Sequence, residues 1–167
     1  IWGVDLLMIL VTLGTQDKQF YRILEALEDK LDKHLIDDEV IVQAGCSADF
    51  KSKYMKIFDL IPMDEFDEMI KKCDLLITHG GVGSIITGLK NNKKVIAAAR
   101  LSKYNEHVND HQLQIIDNFS KEGYILKLDN FDDIDKLIKD SSKFKPKKFK
   151  SNTDNMINLI DREIEKS

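Results

Sequence analysis

The chain contains little cysteine, with only Cys46 and Cys73 among its 167 residues. Neither sits in a Cys-x-x-Cys pair or a Cys/His cluster. A disulfide framework and a structural zinc site are therefore not expected, and both thiols read as reduced and buried, as in a cytoplasmic protein. No run approaches the ~20 apolar residues that a membrane-spanning helix needs. The apolar opening, Ile1–Val11, lacks a basic flank and a small-residue cleavage site, so it reads as a strand and not as a signal peptide. A basic excess is missing as well. With 25 Lys and Arg against 29 Asp and Glu, the net charge is −4 and nucleic acid is not an expected partner. No Gly-Lys-Ser/Thr phosphate loop is present. Nor is there a Gly-x-Gly-x-x-Gly turn followed about 20 residues later by an acid, which argues against ATPase and dinucleotide readings.

What is present is an alternation of apolar runs with helical stripes, the pattern of a parallel sheet with crossover helices. Strands are expected at Leu6–Thr12, Glu39–Gln43, Lys56–Ile61, Asp74–Thr78, Lys94–Ala99 and Tyr124–Leu128. Between them, Phe20, Ile23, Leu24, Leu27 and Leu31 mark a helix over 17–34, with His34 at its C-terminal dipole end. A helix capped by Asp64 carries Phe66, Met69 and Ile70, and further helices are expected over 84–91, 108–121 and 131–140. The whole predicts a Rossmann-like doubly wound α/β domain of about six strands over residues 8–141. Residues 1–7 read as an upstream extension, with Met8 a candidate start. A basic linker is expected over 142–151 and a C-terminal helix over 152–167.

Two glycine-bearing turns link strands to helices: Leu13-Gly14-Thr15-Gln16 and Thr78-His79-Gly80-Gly81-Val82-Gly83-Ser84. Such turns let backbone approach a phosphate, and the helix that follows offers free N–H groups and the positive end of its dipole. In open α/β sheets ligands bind at that carboxyl edge. A third cluster, Arg100 to Gln112, is far more polar than a connection requires. One reading is a solvated loop capped at Asn109 or Asp110. His107 and His111 lie four apart, as helical metal ligands do, but no third ligand has suitable spacing, so no metal is expected. Convergent hydrogen bonds to sugar hydroxyls fit better.

Across about residues 8–128, the three motifs in this order resemble the donor-binding subunits of two-component bacterial exopolysaccharide and capsule glycosyltransferases. They are also similar to the C-terminal half of GT-B (family 28) enzymes and to the eukaryotic subunit that adds the second N-acetylglucosamine to dolichol-linked chitobiose. The resemblance implies that Gly14, Thr15 and Gln16 lie at an inter-domain cleft. It implies that His79, with Gly80, Gly81, Val82, Gly83 and Ser84, holds the donor diphosphate, and that His79 helps neutralise the leaving UDP. The 58–63 stretch would receive uracil through backbone near Ile61, Asp110, His111 and Gln112 would face the transferred sugar, and Arg100, Glu106, His107 and Thr87 complete the expected donor-binding set. Many relatives place an acid for the ribose hydroxyls where this chain has Thr87.

The expectation is thus a UDP-hexose-binding, inverting glycosyltransferase subunit with no cofactor and no identified general base. It would work with a membrane-attached partner that binds a lipid-diphosphate-linked sugar at the cytoplasmic membrane face. The alternative is a non-catalytic accessory subunit that enhances a partner; a related epimerase or hydrolase would need a longer chain. Asp133-Ile134-Asp135 spells a metal–nucleotide motif but falls on an acidic helix face and reads as chance. The lysine run 143–150 reads as a solvated linker or a contact with anionic lipid. The final helix, 152–166, is the expected docking element.

Overall fold

In the computed structural model, residues 7–15 and 17–149 are described. Six strands, β1 (Met8–Thr12), β2 (Glu39–Gln43), β3 (Lys56–Phe58), β4 (Leu75–His79), β5 (Lys94–Ala98) and β6 (Leu126–Leu128), form one sheet in the order β3-β2-β1-β4-β5-β6. Every neighbouring pair is parallel. The expected doubly wound, Rossmann-like α/β fold is the one observed. The strand order reverses between β1 and β4, and their carboxyl ends make the crevice where such sheets bind ligands.

The central strands read as continuous apolar runs because both faces are covered. On one face Ile9, Val11 and Ile77 pack against Ile23, Leu24 and Leu27 of α1 (Tyr21–Asp32) and Ile134 and Ile138 of α5 (Ile134–Ser141). On the other, Leu10 and Leu76 meet Ile70 of α2 (Met63–Lys72), Ile85 of α3 (Val82–Lys90) and Ile116 of α4 (His111–Lys121). Three helices end in the same hydrogen-bonded turn. Its left-handed residue is His34 (φ 58°), Asn92 (φ 58°) or Gly123 (φ 84°), and the next N–H closes a ring of 2.9–3.1 Å bonds to Lys30, Gly88 or Phe119. His34 therefore lies beyond its helix, exposed, as a chain-reversing residue.

Several elements differ from expectation for local reasons. α1 begins at Tyr21 and not near Asp17, because the carbonyls of Lys18 and Gln19 accept from Arg100 and the Phe20 N–H donates to Ser47 Oγ. β3 ends at Phe58, since beyond it β2 turns into a 3-10 segment over Gly45–Ser47. Pro62, not Asp64, precedes α2; Asp64 lies in its first turn. α4 starts at His111, whose N–H donates to Asn109 Oδ1, while Asp110 Oδ1 accepts from Ser102. Cys73 is buried but Cys46 is exposed, with Sγ against the Asp17 carbonyl. Asp133 and Asp135 pair with Lys136 and Lys30.

The described part of the basic segment is docked. The Lys147 N–H donates to the Gly123 carbonyl, and Phe149 packs edge-on against Tyr124. Among the described residues no helix is long and apolar enough to cross a membrane. The expectations for 1–6, 150–151 and the final helix fall outside the described residues.

Candidate functional site

The sheet's apolar runs end in polar residues at one level, and helices α2 and α3 start beside them. A cavity of about 430 Å³ opens there. Thr12, Gln43 and Leu76 form its floor, and Leu60, Ile61, Met63, Phe66 and Ile70 its apolar wall. Thr15, Gly83, Ser84 and Thr87 form the polar wall. Among the described residues no ionisable side chain lines it.

The polar wall is the start of α3. Gly81 is the N-cap and provides no side-chain capping bond, and no acidic residue occupies the first turn. The first intrahelical bond is Ile85 N–H to the Gly81 carbonyl, so the N–H groups of Val82, Gly83 and Ser84 have no partner within the helix. They point out at the positive end of the dipole, which suits an anion. A Cβ at Gly83 would meet nothing within 4 Å, so backbone is accessible here.

The other glycines make room for His79. A Cβ on Gly81 would lie 2.4 Å from its Cε1, and one on Gly14, where φ is +79°, 2.7 Å from its Nε2. The imidazole is thus clasped between the two glycine turns. Gln112 fixes its proton. Gln112 Oε1 accepts from the N–H groups of Gly80 and Arg100, both at 3.0 Å, so its Nε2 must donate to His79 Nδ1 at 3.2 Å. The ring hydrogen therefore resides on Nε2, 3.4 Å from Ser84 Oγ. Burial, and then the charge of Arg100, push the His79 pKa down from 6.5 to about 4, so the ring is neutral at pH 7.

Residues expected to line a sugar divide in two. Arg100 is fully buried and donates to the carbonyls of Leu13, Lys18, Gln19 and Glu106. Glu106, equally buried, takes both an Nε and an Nη bond from Arg22, at 3.1 and 2.9 Å, and accepts from the Leu101 N–H. Arg22 in turn lies over the Phe131 and Tyr104 rings. Apart from Arg100 Nε, which has no partner among the described residues, these side chains and Gln112 spend their polar atoms on the protein and hold two loops together. Asp110 stays exposed, its carboxyl held below the usual range by the Ser102 hydrogen bonds. Burial lowers the His107 pKa, and His111 Nδ1 has no partner. Among the described residues no group of three potential ligands surrounds a metal position.

Thr87 Oγ1 donates to the Gly83 carbonyl at 2.8 Å and lines the cavity. Ile61 also lines it, but its N–H donates to Gln43 Oε1 at 2.9 Å and is not presented to the cavity. Gln16 lies outside the described residues. Sequence reasoning missed Gln43, Thr12 and Thr78. Their signal was available: each is a polar residue closing an apolar strand.

Residues 8–166 match the glycosyltransferase family 28 C-terminal domain. Over 109 residues the chain is 26% identical to the UDP-N-acetylglucosamine transferase subunit ALG13 of Candida albicans, covering 65% of this chain and 36% of that protein. It thus spans about a third of that curated relative. The fold is similar to the solution structure of ALG13, with a TM-score of 0.62 at 19% identity over 93% of this chain and 95% of the other. It is also similar to Os79 from O. sativa in complex with UDP, with a TM-score of 0.59 at 14% identity over 96% of this chain and 41% of the other.

Proposed function

The chain belongs to the glycosyltransferase family 28 C-terminal domain family, and from that membership we propose that it is the donor subunit of an inverting, UDP-hexose-dependent glycosyltransferase. One observation carries the reading: an uncapped helix N-terminus, flanked by glycines, opens on a 430 Å³ cavity at the switch point of the sheet. Its N–H groups and dipole suit a diphosphate, and the apolar wall suits a base. The bound UDP of Os79 and the name of the Candida albicans subunit agree with that ligand class.

In this reading the N–H groups of Val82, Gly83 and Ser84 hold the diphosphate and stabilise the charge that grows on it as the glycosidic bond breaks. The charge is met by backbone dipoles and not by a metal ion. His79 contributes as a neutral donor that orients the Ser84 hydroxyl, which replaces the cationic role implied by resemblance. The Thr87 hydroxyl retains acceptor capacity for a ribose hydroxyl. Asp110 and His111 would face the hexose, as the family resemblance implies.

Among the described residues the cavity wall carries no carboxylate, and the family resemblance favours a single inverting displacement by the acceptor hydroxyl. No described residue of that wall is assigned as the general base. A membrane-attached partner subunit would bring both the base and the lipid-diphosphate-linked acceptor, at the cytoplasmic membrane face and in exopolysaccharide or capsule synthesis.

Titration calorimetry of the full chain with UDP, GDP and TDP tests the donor site. UDP should bind, and binding of none would overturn the reading in favour of an accessory subunit. With the partner co-expressed, His79→Ala should lower transfer to a lipid-linked acceptor, and full activity would remove His79 from the machinery.

A further inference from the structure

We propose that Gln43 reads the polar edge of the donor's base from the cavity floor, with Thr12 and Thr78 beside it, and selects a keto pyrimidine over an amino one. The proposal rests on the reading of this cavity as the nucleotide site.

Gln43 and Thr12 are direct partners across β2 and β1, and Thr12 and Thr78 across β1 and β4. Each stands two residues beyond an aliphatic side chain of one core cluster: Ile41, Leu10 and Leu76. Side chains alternate along a strand, so the three polar groups form a row on that face, one per strand about 4.8 Å apart. Ala97 is next in the row on β5. The row is buried: relative exposures are 8% for Gln43, 3% for Thr12 and 0% for Thr78.

Its hydrogen-bonding capacity is only partly used. Gln43 Oε1 accepts from the Ile61 N–H, while the Nε2 amino group bonds no described residue. Thr78 Oγ1 has no partner among the described residues, although valine would fill the same space without burying a hydroxyl. Polar groups at this depth are normally satisfied, and Gln43 and Thr12 line the cavity.

The chemistry of the occupant follows. Turning the Gln43 amide over would set its NH₂ against the Ile61 N–H, donor to donor. The amide is therefore locked with its NH₂ as the group left to bond an occupant, and an amino group can only donate. It requires an acceptor, a ring carbonyl, on a molecule whose flat faces suit Leu60, Ile61, Met63 and Phe66. Uracil presents O4, an acceptor, where cytosine presents an amino donor. The Ile61 N–H, which resemblance assigns to the base, is spent on holding Gln43 in place.

Calorimetry of the wild-type chain with UDP and CDP gives the first test. UDP should bind roughly 10- to 100-fold more tightly, the range for one mismatched buried donor. Equal affinity would overturn the inference and leave the donor site standing. Binding of neither nucleotide would overturn both. Gln43→Glu keeps the acceptor for the Ile61 N–H and replaces the donor by an acceptor. With the circular dichroism spectrum unchanged, it should weaken UDP by at least about tenfold and narrow or invert the ratio to CDP. An unchanged ratio in that variant refutes the role of Gln43. Thr12→Val, which conserves volume, should weaken UDP about three- to tenfold without altering the spectrum, and unchanged affinity would remove Thr12 from the row.

Discussion

His79 ties the site to the stability of the domain in a measurable way. Its pKa falls from the 6.5 of a free imidazole to about 4 because the ring is buried and Arg100 is close. The unfolded chain therefore binds a proton between pH 6.5 and pH 4 that the folded chain refuses. The unfolded state holds more protons across this window, so stability rises with pH within it, is complete above pH 6.5, and is lost as pH falls toward 4. A gap of roughly 2.5 pH units at about 1.4 kcal/mol each amounts to about 3 kcal/mol. About 2 kcal/mol of this is already expressed between pH 7 and pH 5. The assay is urea unfolding followed by circular dichroism, at half-unit steps from pH 5 to 7, on wild type and His79→Gln. Carboxylates and His107 titrate in both chains and cancel in the difference. Wild type should lose about 2 kcal/mol more than the variant over that range. Parallel curves would show that His79 takes up its proton in the folded state, and would refute the neutral clasp between the glycine turns.

Arg22→Met strands the Glu106 carboxylate in the interior and should cost about 3 kcal/mol in urea unfolding. Adding Glu106→Gln should recover part of that loss, and strict additivity would show that the two do not interact. Gly81→Ala drives a methyl into the His79 ring and should abolish UDP binding in calorimetry. Gly83→Ala meets no neighbour, so it should leave stability unchanged or raise it by about 0.5 kcal/mol while still weakening UDP at the accessible backbone. Gly88→Ala places a Cβ 2.7 Å from Leu76 Cδ2 and 2.8 Å from Val95 Cγ2. Overpacking should outweigh the gain in helix propensity, for a net loss of about 1 kcal/mol in thermal or urea unfolding.

The fold was legible because its signals are local and repeated. Apolar runs closed by glycine turns marked β1, β2 and β4, and helical stripes such as Ile23, Leu24, Leu27 and Leu31 marked the helices between them. Boundaries failed where a distant side chain takes over local backbone. Arg100 captures the carbonyls of Lys18 and Gln19 across more than 80 positions, and no window on residues 17–20 could reveal that. The basic segment was read as a solvated linker for the same reason: the Lys147 N–H bonds the distant Gly123 carbonyl, and its lysines pointed to solvent as long as that partner was out of view. The glycine turn before α3 was placed correctly, yet Gly81 there makes room for His79 and Gly80 for Gln112, and only Gly83 leaves backbone open to a ligand. Spacing alone does not separate those purposes.

What separates them is how completely each polar side chain is satisfied by the protein. Around the crest of the sheet lie two polar sets that a motif reading merges. Arg100, Glu106 and Gln112 belong to conspicuous motifs, yet nearly all their polar atoms are matched by backbone or by Arg22 and His79. Their truncation should unfold or loosen the domain. Thr12, Gln43 and Thr78 were assigned no role from the sequence and are buried as deeply, but they retain unused donors and acceptors on the cavity side of the sheet. A buried polar group without a partner costs free energy in the folded chain, and sequence alternatives that avoid the cost, such as valine at position 12 or 78, fit the same strands. The satisfied set holds the loops that shape the mouth. In the unsatisfied set, Thr12 and Gln43 line the space where a ligand can complete their hydrogen bonds, and Thr78 lies beside them. Substitution in the first set should therefore move stability and binding together, while substitution in the second should move binding alone.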